Sequence, residues 1–183
     1  MNINLLDNAE AKQLQQLIIE AEHIVICAHK SPDGDALGSS LAWKSYLNQI
    51  GKTDVTVCMP DAYPDFLQWL PEANTVLRYD KNPEKVQETF NRADLVCCLD
   101  FNQYARVEAM RSTLEGCKAK RILIDHHLEP QTDNAITISQ PNMSSTSEMI
   151  FYIISQLGGY NDMTKDCAQC IYCGMMTDTG GFT

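Results

Sequence analysis

The stretch Ile24-Val-Ile-Cys-Ala28, followed at once by His29-Lys-Ser-Pro-Asp33-Gly-Asp35 and then by Ala36 to Ile50, decides the fold. An unbroken apolar run of this length, bounded by turn residues, reads as a strand covered on both faces. After the turn, Leu37, Leu41, Trp43, Leu47 and Ile50 fall at helical spacing, and Gly51 stands where a helix takes a left-handed cap. Buried strand, polar turn and helix make one half of a parallel crossover unit, and the pattern returns along the chain.

Upstream, Leu14, Leu17, Ile18 and Ala21 predict a helix over Ala9 to Glu22. Downstream comes a strand at Asp54 to Met59. Pro60, Pro64 and Pro71 then punctuate a turn-rich stretch with at most one brief helix, Asp65 to Leu70, before a short strand at Thr75 to Tyr79. Pro83 opens a helix through Arg92, and Leu95 to Leu99 is a second apolar run. Ala105 to Leu114 reads as helix, Arg121 to Ile124 as a third run, and Ile136 to Ile138 as a weaker strand. From Ser144 to Cys173 the pattern is two helices separated by Gly158 and Gly159. Such alternation predicts an α/β fold, a mostly parallel sheet flanked by helices on both faces, with ligands beyond the carboxyl ends of the strands.

At 183 residues, 44% hydrophobic and 21% charged, the chain suffices for one compact domain, and it shows no internal repeat or linker. Asp plus Glu number 24 against 14 Lys plus Arg, a net charge of -10, which excludes a broad basic surface for duplex DNA. No apolar run approaches a bilayer span and the N-terminus lacks a basic-then-apolar signal, so the expectation is a cytoplasmic protein with no membrane partner. The cysteines, several of them inside apolar runs (Cys27, Cys97, Cys98, Cys173), read as reduced core thiols. Cys167, Cys170 and Cys173 imitate the start of an iron–sulfur run, but no fourth cysteine followed by proline is near, and their spacing of three suits core packing.

The chemistry collects just past the apolar runs. His29, Asp33 and Asp35 follow the first, Asp100 the second, and Asp125, His126 and His127 the third, while Thr177-Asp178-Thr-Gly-Gly181 lies near the end after a helix. In a parallel sheet these groups meet on one edge. Like charges about 4 Å apart repel by roughly 1 to 4 kcal/mol per pair, so Asp33, Asp35, Asp100 and Asp178 gathered together need cations. Two divalent ions balance the four carboxylates, and mixed Asp and His ligation favours Mn²⁺ over Mg²⁺. Two metals about 3.5 to 4 Å apart are suited to phosphoryl transfer. Each aspartate alone also reads as a helix cap or turn residue, and Asp125-His-His127 alone as a cap beside exposed imidazoles. Their joint occurrence carries the metal reading.

At these residues the sequence resembles the DHH phosphoesterase superfamily, in its nanoRNase/pAp phosphatase group related to RecJ-type exonucleases. The motifs are His29-Lys-Ser-Pro-Asp-Gly-Asp-Ala-Leu-Gly-Ser39, Leu99-Asp-Phe101, Ile124-Asp-His-His127 and Gly174-Met-Met-Thr-Asp-Thr-Gly-Gly-Phe182. The resemblance implies that His29, Asp33 and bridging Asp100 hold one ion, and Asp35, Asp100, His126 and Asp178 the other. It implies two Mn²⁺ ions, with Mg²⁺ or Co²⁺ as substitutes. It makes Asp125 a supporting partner of an imidazole, and His127 a contact to the substrate phosphate or leaving group. Arg106 and Ser39 are further candidate substrate contacts, though a solvent-facing helix residue and a packing or capping serine are the plainer readings of each. Ser144-Ser-Thr-Ser147-Glu148 resembles a segment of nanoRNase relatives and equally suits a helix start at Ser144. The implied activity is hydrolysis of short single-stranded RNA or of 3′-phosphoadenosine 5′-phosphate. Alternatives are a pyrophosphatase or exopolyphosphatase, and a catalytically silent nucleotide-binding module. Residues 1–183 read as the catalytic domain, without the substrate-binding second domain of that group, and a homodimer is a candidate assembly.

Overall fold

The computed structural model describes residues 3–130 and 133–183. Helix α1 (Asn8–Glu20) leads into β1 (Ile24–Cys27), α2 (Gly34–Gln49) and β2 (Val55–Met59). After short 3-10 turns come β3 (Leu77–Arg78), α3 (Pro83–Arg92) and β4 (Leu95–Leu99). A 3-10 stretch, Tyr104–Met110, runs into α4 (Arg111–Gly116), followed by β5 (Lys120–Asp125) and β6 (Ile136–Ser139). Helices α5 (Thr146–Gln156) and α6 (Lys165–Asp178) complete the order.

All neighbouring strands pair parallel, in the order β3-β2-β1-β4-β5-β6. The chain therefore winds outward from β1 in one direction, returns to β4 on the other side of β1, and winds outward again. Loops leaving β1 and β4 diverge to opposite sides at that reversal, which opens a crevice at their carboxyl ends.

Strand residues alternate between the two covering layers, as a pleat requires. Ile24, Ile26, Leu95, Cys97, Leu99, Ile122 and Ile124 pack with α1, α2, α5 and α6. Val25, Cys27, Val96, Cys98 and Leu123 meet Val86 and Phe90 of α3, Val107 and Met110, and Leu114 of α4. All eight cysteines are free and buried, and Cys167 Sγ donates to the Ala42 carbonyl, so the α6 cysteines are packing groups. No helix among the described residues is long and apolar enough to cross a membrane.

Three elements differ from the sequence pattern. The predicted helix from Ala105 is broken at Glu108, whose φ of 40° and ψ of -109° leave the helical region. The crossover from β5 to β6 contains no helix among its described residues, because the Asp125-His-His127 segment and the turns after it occupy that space. Asp178 is the last residue of α6 instead of standing in a turn beyond it.

Close approach of α2 to α6 depends on glycine. A Cβ on Gly38 would lie 2.6 Å from the Cys170 carbonyl oxygen, and one on Gly174 would lie 1.9 Å from Ser147 Oγ and 2.8 Å from Asp35 Oδ1. This seam brings the carboxylates of two helices to one place.

Candidate metal centre

Four segments contribute to the cluster. Past β1, His29 is buried, and its Nδ1–H donates to the Lys30 carbonyl at 2.7 Å. A carbonyl only accepts, so the proton sits on Nδ1 and Nε2 presents its lone pair, 3.4 Å from Asp100 Oδ2. His126, past β5, repeats the device: Nδ1–H donates to the Met143 carbonyl at 3.2 Å, and Nε2 lies 3.7 Å from Asp100 Oδ1 and 3.5 Å from Asp178 Oδ2.

Asp33 caps α2 with one oxygen, Oδ1 accepting from the Asp35 and Ala36 amides at 2.9 and 3.0 Å. The capping role and the ligand role are thus compatible, since Oδ2 has no such bond. Asp35 is 1% exposed and accepts the Thr146 and Ser147 amides at 2.7 and 2.8 Å, so the N-terminus of α5 grips it. Asp100, past β4, sits at a φ of 63°, the left-handed region that Asp tolerates better than most residues, and Thr146 Oγ1 donates to its Oδ1 at 3.0 Å.

Burial, followed by the nearby charge of Asp100, pushes the Asp35 carboxyl well above its usual range. Burial also raises Asp178, although His126 opposes it. For His29 burial acts downward, but the hydrogen bond and charge of Asp100 prevail and the ring is raised. Among the described residues the polar partners of these carboxylates are histidines, hydroxyls and amides, and no Lys or Arg pairs with Asp33, Asp35, Asp100 or Asp178.

Such a surplus of acceptors, with two imidazoles presenting lone pairs, fits divalent cations. Ligand atoms of His29, Asp33 and Asp100 lie within 4.8 Å of one another, and so do those of Asp35, His126 and Asp178, and of Asp100, His126 and His127. All six sequence-predicted ligands therefore converge.

The remaining candidates divide. Asp125, fully buried, accepts His127 Nδ1–H at 2.7 Å and the His127 amide at 3.0 Å, so it orients His127; the imidazole it supports is not His126, which uses the Met143 carbonyl. The Asp125 hydrogen bond raises the His127 ring above its ordinary value and leaves Nε2 as its free end. Arg106 is half-buried in the 3-10 stretch, close enough for its charge to act on His127, and its guanidinium bonds to no described residue. Ser39 is a correction: it is fully buried and its hydroxyl donates to the Asp35 carbonyl at 2.7 Å, so it packs within α2 and offers nothing to a substrate. The helix start read at Ser144 is Ser145, whose Oγ accepts from the Glu148 amide, while Ser144 bonds the Glu148 carboxylate.

Sequence reasoning missed Thr146 and Ser147 as holders of Asp35 and Asp100, and the two carbonyls that fix the histidine tautomers. Only the serine- and threonine-rich run that opens α5 carried any signal for them, and it was equally a cap.

A model of the DHH family, N-terminal domain, matches residues 23–175. The chain is 32% identical over 159 residues to the bifunctional oligoribonuclease and PAP phosphatase NrnA of Thermus thermophilus, covering 87% of this chain and 44% of that protein. The crystal structure of an exopolyphosphatase-related protein from Bacteroides fragilis superposes with a TM-score of 0.96 at 43% identity, over 99% of this chain and 53% of that one. RecJ from Thermus thermophilus in complex with Mn²⁺ shares the fold at a TM-score of 0.55 and 16% identity, over 92% of this chain and 23% of its own. The chain spans about half the length of NrnA and of the exopolyphosphatase-related protein.

Proposed function

The chain belongs to the DHH family, and on that premise we propose that it is a metal-dependent phosphoesterase, taking two Mn²⁺ ions and hydrolysing short oligoribonucleotides or 3′-phosphoadenosine 5′-phosphate. The observation that carries this reading is the Asp100 carboxylate: Oδ2 faces His29 and Oδ1 faces His126, so one residue serves two neighbouring ligand groups. His29, Asp33 and Asp100 would hold one ion, and Asp35, Asp100, His126 and Asp178 the other. Bound there, divalent ions supply a hydroxide at neutral pH and charge compensation for phosphate oxygens.

The chain's own residues do the rest. Asp125 holds His127 with Nε2 outward, in position to donate to a phosphate or leaving oxygen. Arg106, whose guanidinium bonds to no described residue, adds a cation beside it. Free buried cysteines fit the cytoplasmic setting of such an enzyme. The crystal structure of the exopolyphosphatase-related relative favours a second reading, hydrolysis of pyrophosphate or polyphosphate. Against it stands the net charge of -10, with few cations near the cluster to receive a polyanion.

A Mn²⁺-supplemented panel of a diribonucleotide, 3′-phosphoadenosine 5′-phosphate and pyrophosphate tests both, with Asp100→Ala as control. The expected result is mononucleotide or phosphate release from the first two, abolished in the variant. Turnover of pyrophosphate alone would replace the reading, and metal and nucleotide binding without any turnover would make the protein a silent binding module.

A further inference from the structure

One peptide beside the cluster is held from both ends. The Lys30 carbonyl accepts His29 Nδ1–H at 2.7 Å, and the amide of the next residue, Ser31, donates to Asp61 Oδ1 at 2.7 Å. Both groups belong to the Lys30–Ser31 peptide. Asp61 stands two residues past β2, the neighbour of β1 in the sheet, and it belongs to none of the ligand groups described above. Among the described residues its hydrogen bonds go to Ser31, whose hydroxyl stands 3.5 Å from Oδ2. The cations around it have closer partners. Lys30 Nζ lies 2.6 Å from Glu108 and Arg78 pairs with Asp80 at 2.7 Å, although Asp61 is near enough for its charge to act on both.

The backbone holds this peptide against its own preference. Ser31 has a φ of 52°, in the left-handed region, and Pro32 follows it, which biases the residue before it toward extended backbone. Turning the Lys30–Ser31 peptide over would relieve Ser31. It would also take the carbonyl from His29 and the amide from Asp61. The preceding peptide is fixed separately, because the Lys30 amide donates to the Arg106 carbonyl at 2.9 Å. A residue kept in a sparsely populated conformation requires surroundings that over-determine it, and Asp61 supplies the bond to the Ser31 amide.

We propose that Asp61 is a positioning residue of the metal centre: it holds the Ser31 amide so that the Lys30 carbonyl keeps the His29 proton on Nδ1 and Nε2 stays free as a ligand. Without that carbonyl the proton moves to Nε2, where Asp100 Oδ2 at 3.4 Å receives it, and the lone pair is no longer available to an ion. The bond to a carboxylate also polarises the peptide and strengthens its carbonyl as an acceptor. Asp61 thus does through the main chain what a carboxylate bonded directly to a ligating imidazole does. The inference rests on the metal-dependent phosphoesterase reading and adds to it a residue outside the cluster.

Three variants test it: Asp61→Ala, Asp61→Asn, and Asp61→Ala combined with Ser31→Gly. Asp61 is only partly buried and lies outside helix and strand, so all three should fold, with thermal unfolding as the check. In metal-free protein at alkaline pH, where the rings are neutral, ¹⁵N NMR of the imidazoles reads the tautomer, and His29→Gln assigns the signal. The wild type should show Nδ1–H at His29. Asp61→Ala should shift the ring to Nε2–H, whereas Asp61→Asn, which keeps an oxygen for the Ser31 amide, should retain Nδ1–H. Mn²⁺ affinity by calorimetry should fall about tenfold to a hundredfold in Asp61→Ala, the usual range for a group that orients a ligand. Glycine carries no penalty at positive φ, so adding Ser31→Gly to Asp61→Ala should recover part of the tautomer and of the affinity, whereas a merely loosened loop would be weakened further. The proposal is overturned by Nε2–H in the wild type, by an unchanged tautomer in Asp61→Ala, by an Asp61→Asn that loses as much as Asp61→Ala, or by a double variant that binds no tighter than Asp61→Ala. Failure of the wild type to bind Mn²⁺ would instead refute the phosphoesterase reading, and the tautomer would still decide the role of Asp61.

Discussion

At the residue scale, the cluster separates groups that hold charge from one group free to move a proton. His29 and His126 spend Nδ1 on backbone carbonyls and turn Nε2 to carboxylates, whereas His127 spends Nδ1 on Asp125 and keeps Nε2 free. A positioned acid or base contributes about 10²- to 10⁴-fold to rate, so His127→Gln should lower kcat by about a hundredfold or more while Mn²⁺ affinity by calorimetry stays near that of the wild type. Asp125→Asn keeps the volume but weakens the hold on the ring, and should reproduce part of that loss. In Asp100→Asn the shared carboxylate becomes neutral, and Mn²⁺ binding itself should fail in the same calorimeter. A His127 variant that lost the metal as fully as Asp100→Asn would make His127 a ligand, an arrangement its proximity to Asp100 and His126 permits.

At the scale of elements, α2 and α6 are held at backbone contact so that Asp33, Asp35 and Asp178 can share a site with the strand-end residues. Gly38→Ala would set a methyl 2.6 Å from a backbone oxygen that cannot swing aside. Overpacking of this kind costs about 1 to 3 kcal/mol, to be read as a lower urea midpoint. Gly174→Ala pushes instead on Ser147 and Asp35, and should weaken Mn²⁺ binding more than its loss of stability accounts for. The strands and long helices were legible in the sequence because burial imposes a period on the residues, and the convergence of the six cluster residues was legible because carboxylates and imidazoles stand together past three buried strands and at the end of a helix, a joint pattern that single caps and turns do not make. Backbone donors were not. The amides of Thr146 and Ser147 and the carbonyls of Lys30 and Met143 work through main-chain atoms that every residue has, so no residue type marks them. Ser39 misled for a related reason: a small polar residue in a motif can serve packing, and its burial at the α2 seam is a tertiary fact.

For the whole molecule, the site is a cost that the fold carries until cations arrive. Asp35 and Asp178 have raised carboxyl pKa values, so the metal-free folded state binds protons there more readily than the unfolded chain, and the stability this linkage gives is lost as pH rises through the folded values. His29 and His127 are raised as well; their contribution is fully present below about 6.5, the ordinary histidine value, and disappears as pH climbs above it. Both pairs act in the same direction, and the net charge of -10 adds general repulsion that acid relieves. Protein stripped with a chelator should therefore show a thermal midpoint that rises as pH is lowered from 8 to about 6.5. Saturating Mn²⁺ reverses the balance, because ions bind the deprotonated ligands and their affinity grows with pH. The holo midpoint should accordingly exceed the apo midpoint by more at pH 8 than at pH 6.5. A constant difference between the two would mean that the cluster is not where the ions bind.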